Sequence, residues 1–159
     1  IPWRDGVELD PDAVAGGDDA TLRDVSVPAE FAHFPPPTER HKPSITTGLG
    51  LGNSGVEALL SGLYEVIERD AMMLAWYSTF EPLGLAIDDP VCETMENRAA
   101  SEDLDVSLLL LTQDVDVPVV AAAVSREEWP KLAFGTGADL NVAGAARSAL
   151  AEAPDGSRR

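Results

Sequence analysis

A chain of 159 residues is long enough for one domain with a real core, and 45% hydrophobic content sets it apart from a disordered polyelectrolyte. Its 28 acidic and 11 basic residues give a formal charge of −17, which argues against a nucleic-acid-binding surface and matches the carboxylate-rich composition of salt-adapted proteins, whose self-repulsion salt screens. One cysteine excludes an intramolecular disulfide, no run approaches the ~18 apolar residues of a membrane span, and no basic-then-apolar start marks a signal peptide, so a reducing cytoplasm is the natural compartment.

Residues 1–24 are rich in Asp, Gly and Ala, and Ala15 to Asp19 (AGGDD) read as a turn or exposed loop. Ile1-Pro2-Trp3 reads as the end of a strand. The first residue is Ile rather than Met, so the start is expected to be missing or processed. Asp24 to Ala29 alternates as a short strand, ended by Pro28. Phe34-Pro35-Pro36-Pro37 breaks regular structure and opens a loop to Pro43, which carries Glu39, Arg40, His41 and Lys42. A solvated loop with His41 at the surface is the simplest reading, with a basic pair near phosphates as its rival.

Ser44 to Gly52 is SITTGLGLG. Small residues there let backbone N–H groups approach a ligand, and a helix starting at Ser54 presents its positive dipole end to anions. It is not a Walker loop, since no Gly-Lys-Ser/Thr follows, and the glycine spacing does not meet the dinucleotide fingerprint.

Ser54 to Ser78 is the longest stretch with helical periodicity. Val56, Leu59, Leu60, Leu63, Val66, Ile67, Leu74 and Tyr77 recur at helical spacing, and Ser54 with Glu57 fits a capping box. Glu57 and Glu68 are three turns apart and differ by roughly 20° around the axis; Glu65 lies one turn before Glu68, and Arg69 follows directly. Three carboxylates thus share one side of the helix, away from the apolar arc. Two readings remain open from spacing alone: a solvated acidic face with Glu57 merely capping, or a divalent-metal and nucleotide site with an arginine for phosphate.

Phe80 to Pro90 reads as irregular and Val91 to Glu102 as a second helix. Leu104 to Thr112 and Pro118 to Val124 are apolar runs of strand length, separated by a turn at Asp114 to Asp116. Lys131 to Gly135 reads as a third strand and Ala138 to Ala153 as a helix of small residues. Cys92, His33 and His41 show no zinc spacing, and nothing supports Cys92 as a nucleophile. The expected fold is α+β, one domain over 1–159, with a mixed or mainly antiparallel sheet packed against the long amphipathic helix.

The run TGLGLGNSGVEALLSGLYEVIERDA resembles the signature of the YcaO family, with Asn53, Glu57, Glu65, Glu68 and Arg69 at the family's intervals. Val27-Pro28-Ala29-Glu30 upstream and Phe134 to Leu140 (FGTGADL) downstream resemble further family segments, and Ala149-Leu150-Ala151-Glu152-Ala153 resembles its last helical motif. The resemblance implies a partial YcaO-like ATP-binding fold that binds ATP and Mg²⁺. It implies phosphorylation of a backbone amide oxygen in a ribosomally made peptide or protein, followed by azoline or thioamide formation. By the same resemblance Glu57, Glu65, Glu68 and Glu152 are metal-side ligands, and Asn53 and Arg69 contact nucleotide. The implied partners are a peptide or protein substrate and a leader-peptide-binding or sulfur-transfer protein, and a homodimer is compatible with the family. The context of Val27 to Ala29 and Glu68 to Ala71 favours the bacteriocin-type, precursor-modifying branch.

The chain departs from the pattern at its end. Ser148 stands where the family has Arg, with Arg147 one residue early, and Asp155 stands where it has Gln. The family's N-terminal ATP-contacting segment and Pro-rich C-terminus have no counterpart, so the sequence reads as a truncated member. The alternative expectation is therefore a non-catalytic fragment with a role in assembly or interaction.

Overall fold

The computed structural model describes residues 3–9, 22–28, 46–79, 81–127 and 132–153. It divides into two compact units, residues 1–46 and 47–159. In the first, β1 (Trp3–Leu9) pairs antiparallel with β2 (Leu22–Pro28), with Trp3 opposite Pro28 and Leu9 opposite Leu22. β2 is the strand expected from alternation, begun two residues earlier. β1 runs well past the strand end expected at Trp3, since backbone pairing carries Asp5, Gly6 and Glu8 into a ladder that propensity disfavours. The expected loops at 15–19 and 35–43, with His33, Arg40, His41 and Lys42, lie outside the described residues.

The second unit is built on an antiparallel sheet ordered β3 (Leu83–Leu85), β4 (Asp105–Leu110), β5 (Val119–Ser125) and β6 (Leu132–Ala138). Three helices accompany it: α1 (Gly55–Tyr77), α2 (Pro90–Ala100) and α3 (Val142–Glu152). Each helix starts on a side-chain cap, Ser54, Asp89 and Asn141 respectively, and α2 adds Pro90 in its first turn. α2 ends at a tight turn in which Asp103 takes a left-handed φ of 56°, the conformation that aspartate tolerates better than most residues. Between β4 and β5, Gln113 donates from its side chain to the Ala71 carbonyl at 3.0 Å, tying that turn to α1.

The apolar run in β5 is buried on both faces. Val120, Ala122 and Val124 join Leu108, Cys92 of α2, and Ala145, Ala146, Ala149 and Leu150 of α3 in one core. Val119 and Ala121 face the other way, onto Ala71 of α1 with Ile67, Met72 and Ala75 around it. Strand alternation divides consecutive apolar residues between two helix layers, which is why the run shows no polar side. The sheet is thus α+β and antiparallel as expected, but helices cover both faces rather than α1 alone. β3 replaces part of the stretch expected to be irregular. β6 runs on through Ala138, so α3 begins at Val142 rather than at residue 138, where Asn141 supplies the cap.

α1 keeps only Ile67 of its expected apolar arc against the sheet and turns most of the rest outward. Small and medium residues, Ala71 and Ala75 with Ile67 and Met72, meet the sheet, whereas Leu59 is 72% exposed and Tyr77 78% exposed. The acidic side turns towards the sheet with them, because Glu68 finds a hydroxyl donor on β6. No helix among the described residues is long and apolar enough to cross a membrane.

α2 and α3 are joined by a charged link. Asp89, only 7% exposed, accepts from the backbone of Val91 and Cys92 at 3.1 and 3.0 Å and from Arg147 Nε at 3.0 Å, with Arg147 Nη2 on its second oxygen. The Arg147 guanidinium and the Cys92 N–H hold its carboxyl far below the ordinary carboxylate range. A depressed carboxylate stabilises the fold above its unfolded value of about 4, and that contribution drains away as pH falls towards its folded value. Arg147→Met is therefore expected to lower the melting temperature most at neutral pH. Melts at neutral, mildly acidic and strongly acidic pH should show the gap from wild type closing in acid, and a pH-independent gap would refute this account.

Candidate functional site

The Gly-rich segment before α1 folds back along the first three turns of that helix. The approach is closer than any side chain allows: a Cβ on Gly50 would stand 1.8 Å from the Ala58 carbonyl oxygen and one on Gly62 2.5 Å from that of Gly48. The contact places donors on carboxylates. Gly48 N–H donates to Glu65 Oε2 at 3.0 Å, and Asn53 N–H donates to Glu57 Oε2 at 2.7 Å while Ser54 Oγ accepts from Glu57 N–H. Glu65 offers its other oxygen to Arg69 Nε at 3.1 Å, an (i, i+4) pair that holds the guanidinium beside the helix.

One turn further on, Glu68 crosses to β6, where Thr136 Oγ1 donates to its Oε1. The Thr136 N–H points to Oε2 of Glu152 at 3.4 Å, so the end of α3 comes to the same residue from the other layer. Burial pushes the Glu68 carboxyl above its ordinary range, and the neighbouring charges of Glu152 and Glu65 push the same way, against the Thr136 hydroxyl and Arg69. These groups border an open cavity of about 700 Å³, a size suited to a small-molecule ligand.

Glu57, Glu65, Glu68, Arg69 and Glu152 all line this cavity, although the first four lie on a different helix from the last. Asn53 does not line it; it is exposed next to the lining residue Ser54. Thr136, Asp139 and Tyr64 line it as well, none of them a site candidate from the sequence, and so does Ser148, the residue that stands where the family pattern has arginine. Thr136 had a signal, because it is the lone hydroxyl in FGTGADL and stands between two glycines. Cys92 is 1% exposed in the core on the α2–α3 side of the sheet, and burial raises its thiol pKa, which removes it as a nucleophile for this cavity.

Five carboxylates, including Asp139, surround the single Arg69 in the lining. A free polyphosphate would be repelled, but one carrying a divalent cation would not. Among the described residues no three His, Cys, Asp or Glu side chains converge tightly enough to enclose a metal by themselves. That suits Mg²⁺, which is commonly held by one or two carboxylates with water and the ligand's phosphates completing its shell. Hard oxygen donors beside a phosphate-compatible arginine are the donor set that Mg²⁺ with a nucleotide requires.

A family model described as YcaO cyclodehydratase, ATP- and Mg²⁺-binding, matches residues 8–157. A protein of Rhizobium leguminosarum bv. trifolii, known as an uncharacterized protein in the tfuA 3′ region, is 30% identical over 120 residues, 67% of this chain and 29% of its own length. YcaO from Methanopyrus kandleri bound with AMPPCP and Mg²⁺ superposes with a TM-score of 0.72 at 32% identity, covering 80% of this chain and 35% of that one. The heterocyclase TruD gives 0.73 at 26% identity, over 81% and 20% of the two chains. The chain thus spans little more than a third, or less, of each of these proteins.

Proposed function

The chain belongs to the YcaO cyclodehydratase, ATP- and Mg²⁺-binding family, and from that premise we propose that the cavity between α1, β6 and α3 holds ATP with Mg²⁺ for the activation of peptide backbone amides. The observation that carries this reading is the meeting of Glu68 and Glu152 at Thr136, beside Arg69, in one cavity. Glu57, Glu65, Glu68 and Glu152 would be the metal-side carboxylates, one or two of them to a cation whose shell water and phosphate oxygens complete, with Arg69 on a phosphate and Asn53 on the nucleotide at the rim near Ser54. When bound, Mg²⁺ would offset the charge on the phosphate oxygens; transfer of the γ-phosphoryl group to the amide oxygen would leave ADP, and phosphate would depart from that oxygen as the azoline or thioamide forms.

The chain's own residues orient and select. Glu65, anchored by the Gly48 N–H, aims the Arg69 guanidinium along the cavity wall, so less rotamer freedom is lost on binding phosphate. The carboxylate excess discriminates against nucleotide without metal. The substrate is a ribosomally made peptide or protein, its product an azoline or a thioamide, and a leader-binding or sulfur-transfer protein works beside it in the cytoplasm.

A second reading, a non-catalytic member that serves in assembly, is favoured by the outward apolar side of α1 and by Ser148 in place of the family's arginine. Calorimetric titration with ATP, with and without Mg²⁺, separates the two. Binding that requires the metal is expected. A cooperatively folded protein that binds no nucleotide would refute the first reading and leave the second.

A further inference from the structure

Thr136 is 7% exposed, lies in the middle of β6, and addresses two carboxylates at once. Its hydroxyl donates to Glu68 Oε1 from the α1 side of the sheet, and its backbone N–H reaches Glu152 Oε2 at the end of α3. β6 is the end strand of its sheet, so this N–H is directed away from β5, to the side where Glu152 stands. The neighbours of Thr136 in sequence, Gly135 and Gly137, lie against the backbone of α3, which fixes the strand's depth under that helix. A residue so held is a rigid reference point for two flexible glutamates.

We propose that Thr136 is a positioning residue for the divalent cation: by engaging one oxygen of Glu68 and one of Glu152, it turns their second oxygens into the cavity at a set separation. The inference rests on the nucleotide reading above and deepens it. Glutamate has three side-chain torsions, and a carboxylate left to rotate would present its oxygens over a range of positions; Mg²⁺ tolerates little deviation from octahedral geometry. Outer partners of this kind commonly affect metal affinity by about 10- to 100-fold. The backbone contact to Glu152 does not depend on the side chain in Val or Ser, so the hydroxyl is the part that these substitutions test.

The test compares Thr136→Val and Thr136→Ser by ATP-binding calorimetry over a range of Mg²⁺ concentrations, by electron paramagnetic resonance with Mn²⁺, and by thermal melting. Val keeps the shape and loses the hydroxyl; Ser keeps the hydroxyl and loses the methyl. The expected result is that Val needs about 10- to 100-fold more metal for half-saturation at an unchanged or higher melting temperature, and that Ser restores the wild-type requirement. A packing role would reverse the order, with Ser impaired and Val normal, and that outcome overturns the proposal. If wild type binds the nucleotide with Mg²⁺ and Glu68→Gln does not, yet Val is unaffected, the positioning role alone falls. If wild type binds none, the nucleotide reading falls and this inference with it.

Discussion

Glu68→Gln is expected to weaken Mg²⁺-dependent ATP binding by roughly 100-fold, about 3 kcal/mol, while melting no lower than wild type. The two halves of this result come from one environment. Glu68 is half-buried, its carboxyl is pushed upward by burial and by Glu152 and Glu65, and only the Thr136 hydroxyl and Arg69 oppose the shift. Keeping a charge there works against stability, so its removal relieves the fold. Glutamine keeps the size and an oxygen that can still accept from Thr136. What it cannot supply is the negative charge that a cation needs. Calorimetry with and without Mg²⁺, run beside a melting curve, reads both halves. Undiminished binding would remove Glu68 from the metal side, and a strong fall in melting temperature would make its carboxylate a structural element instead.

The second large effect concerns stability. Gly135→Val is expected to destabilise the protein by about 3 kcal/mol or more, because a Cβ at this position would lie 2.4 Å from both the Ala149 carbonyl oxygen and the Ala153 nitrogen. Those are backbone atoms of α3 and its C-terminal cap, which cannot rotate aside as a flexible side chain does. The helix must lift from β6, and it carries Glu152 away from Thr136 as it goes. Gly84→Ala in β3 of the same sheet is the control, since a Cβ there meets nothing within 4 Å. Urea unfolding should show a large fall in midpoint for Gly135→Val and little change for Gly84→Ala. Equal effects would mean that strand propensity, not the close approach of α3, sets the response.

Much of this arrangement is legible in the residues. The capped helix from Ser54, the apolar strands around Leu108 and Val120, and the small-residue helix near Ala149 follow from period, length and punctuation. Glu57, Glu65, Glu68 and Arg69 form a local pattern on one helix, and Glu152 entered through a family motif. Other features depend on contacts distant in sequence. β1 and β3 have weak patterns of their own and exist through their pairing with β2 and β4. The orientation of α1 could not be read from its apolar arc, because a sheet lined by alanines and valines accepts Ala71 and Ala75 closely. Thr136 belongs to no helical pattern, and its role emerges only where strand, α1 and α3 meet.

The strands β3 to β6 lie side by side in the order in which the chain produces them. Their ladders join residues close in sequence, which lowers the entropy of loop closure and lets such a sheet zip up early in folding. The contact between Glu68 and Thr136 closes a loop of 68 residues around most of that sheet. Its sequence separation predicts that it forms late and opens early, so changes that tighten it are expected to slow unfolding rather than speed folding, which folding and unfolding rates of such a variant would check.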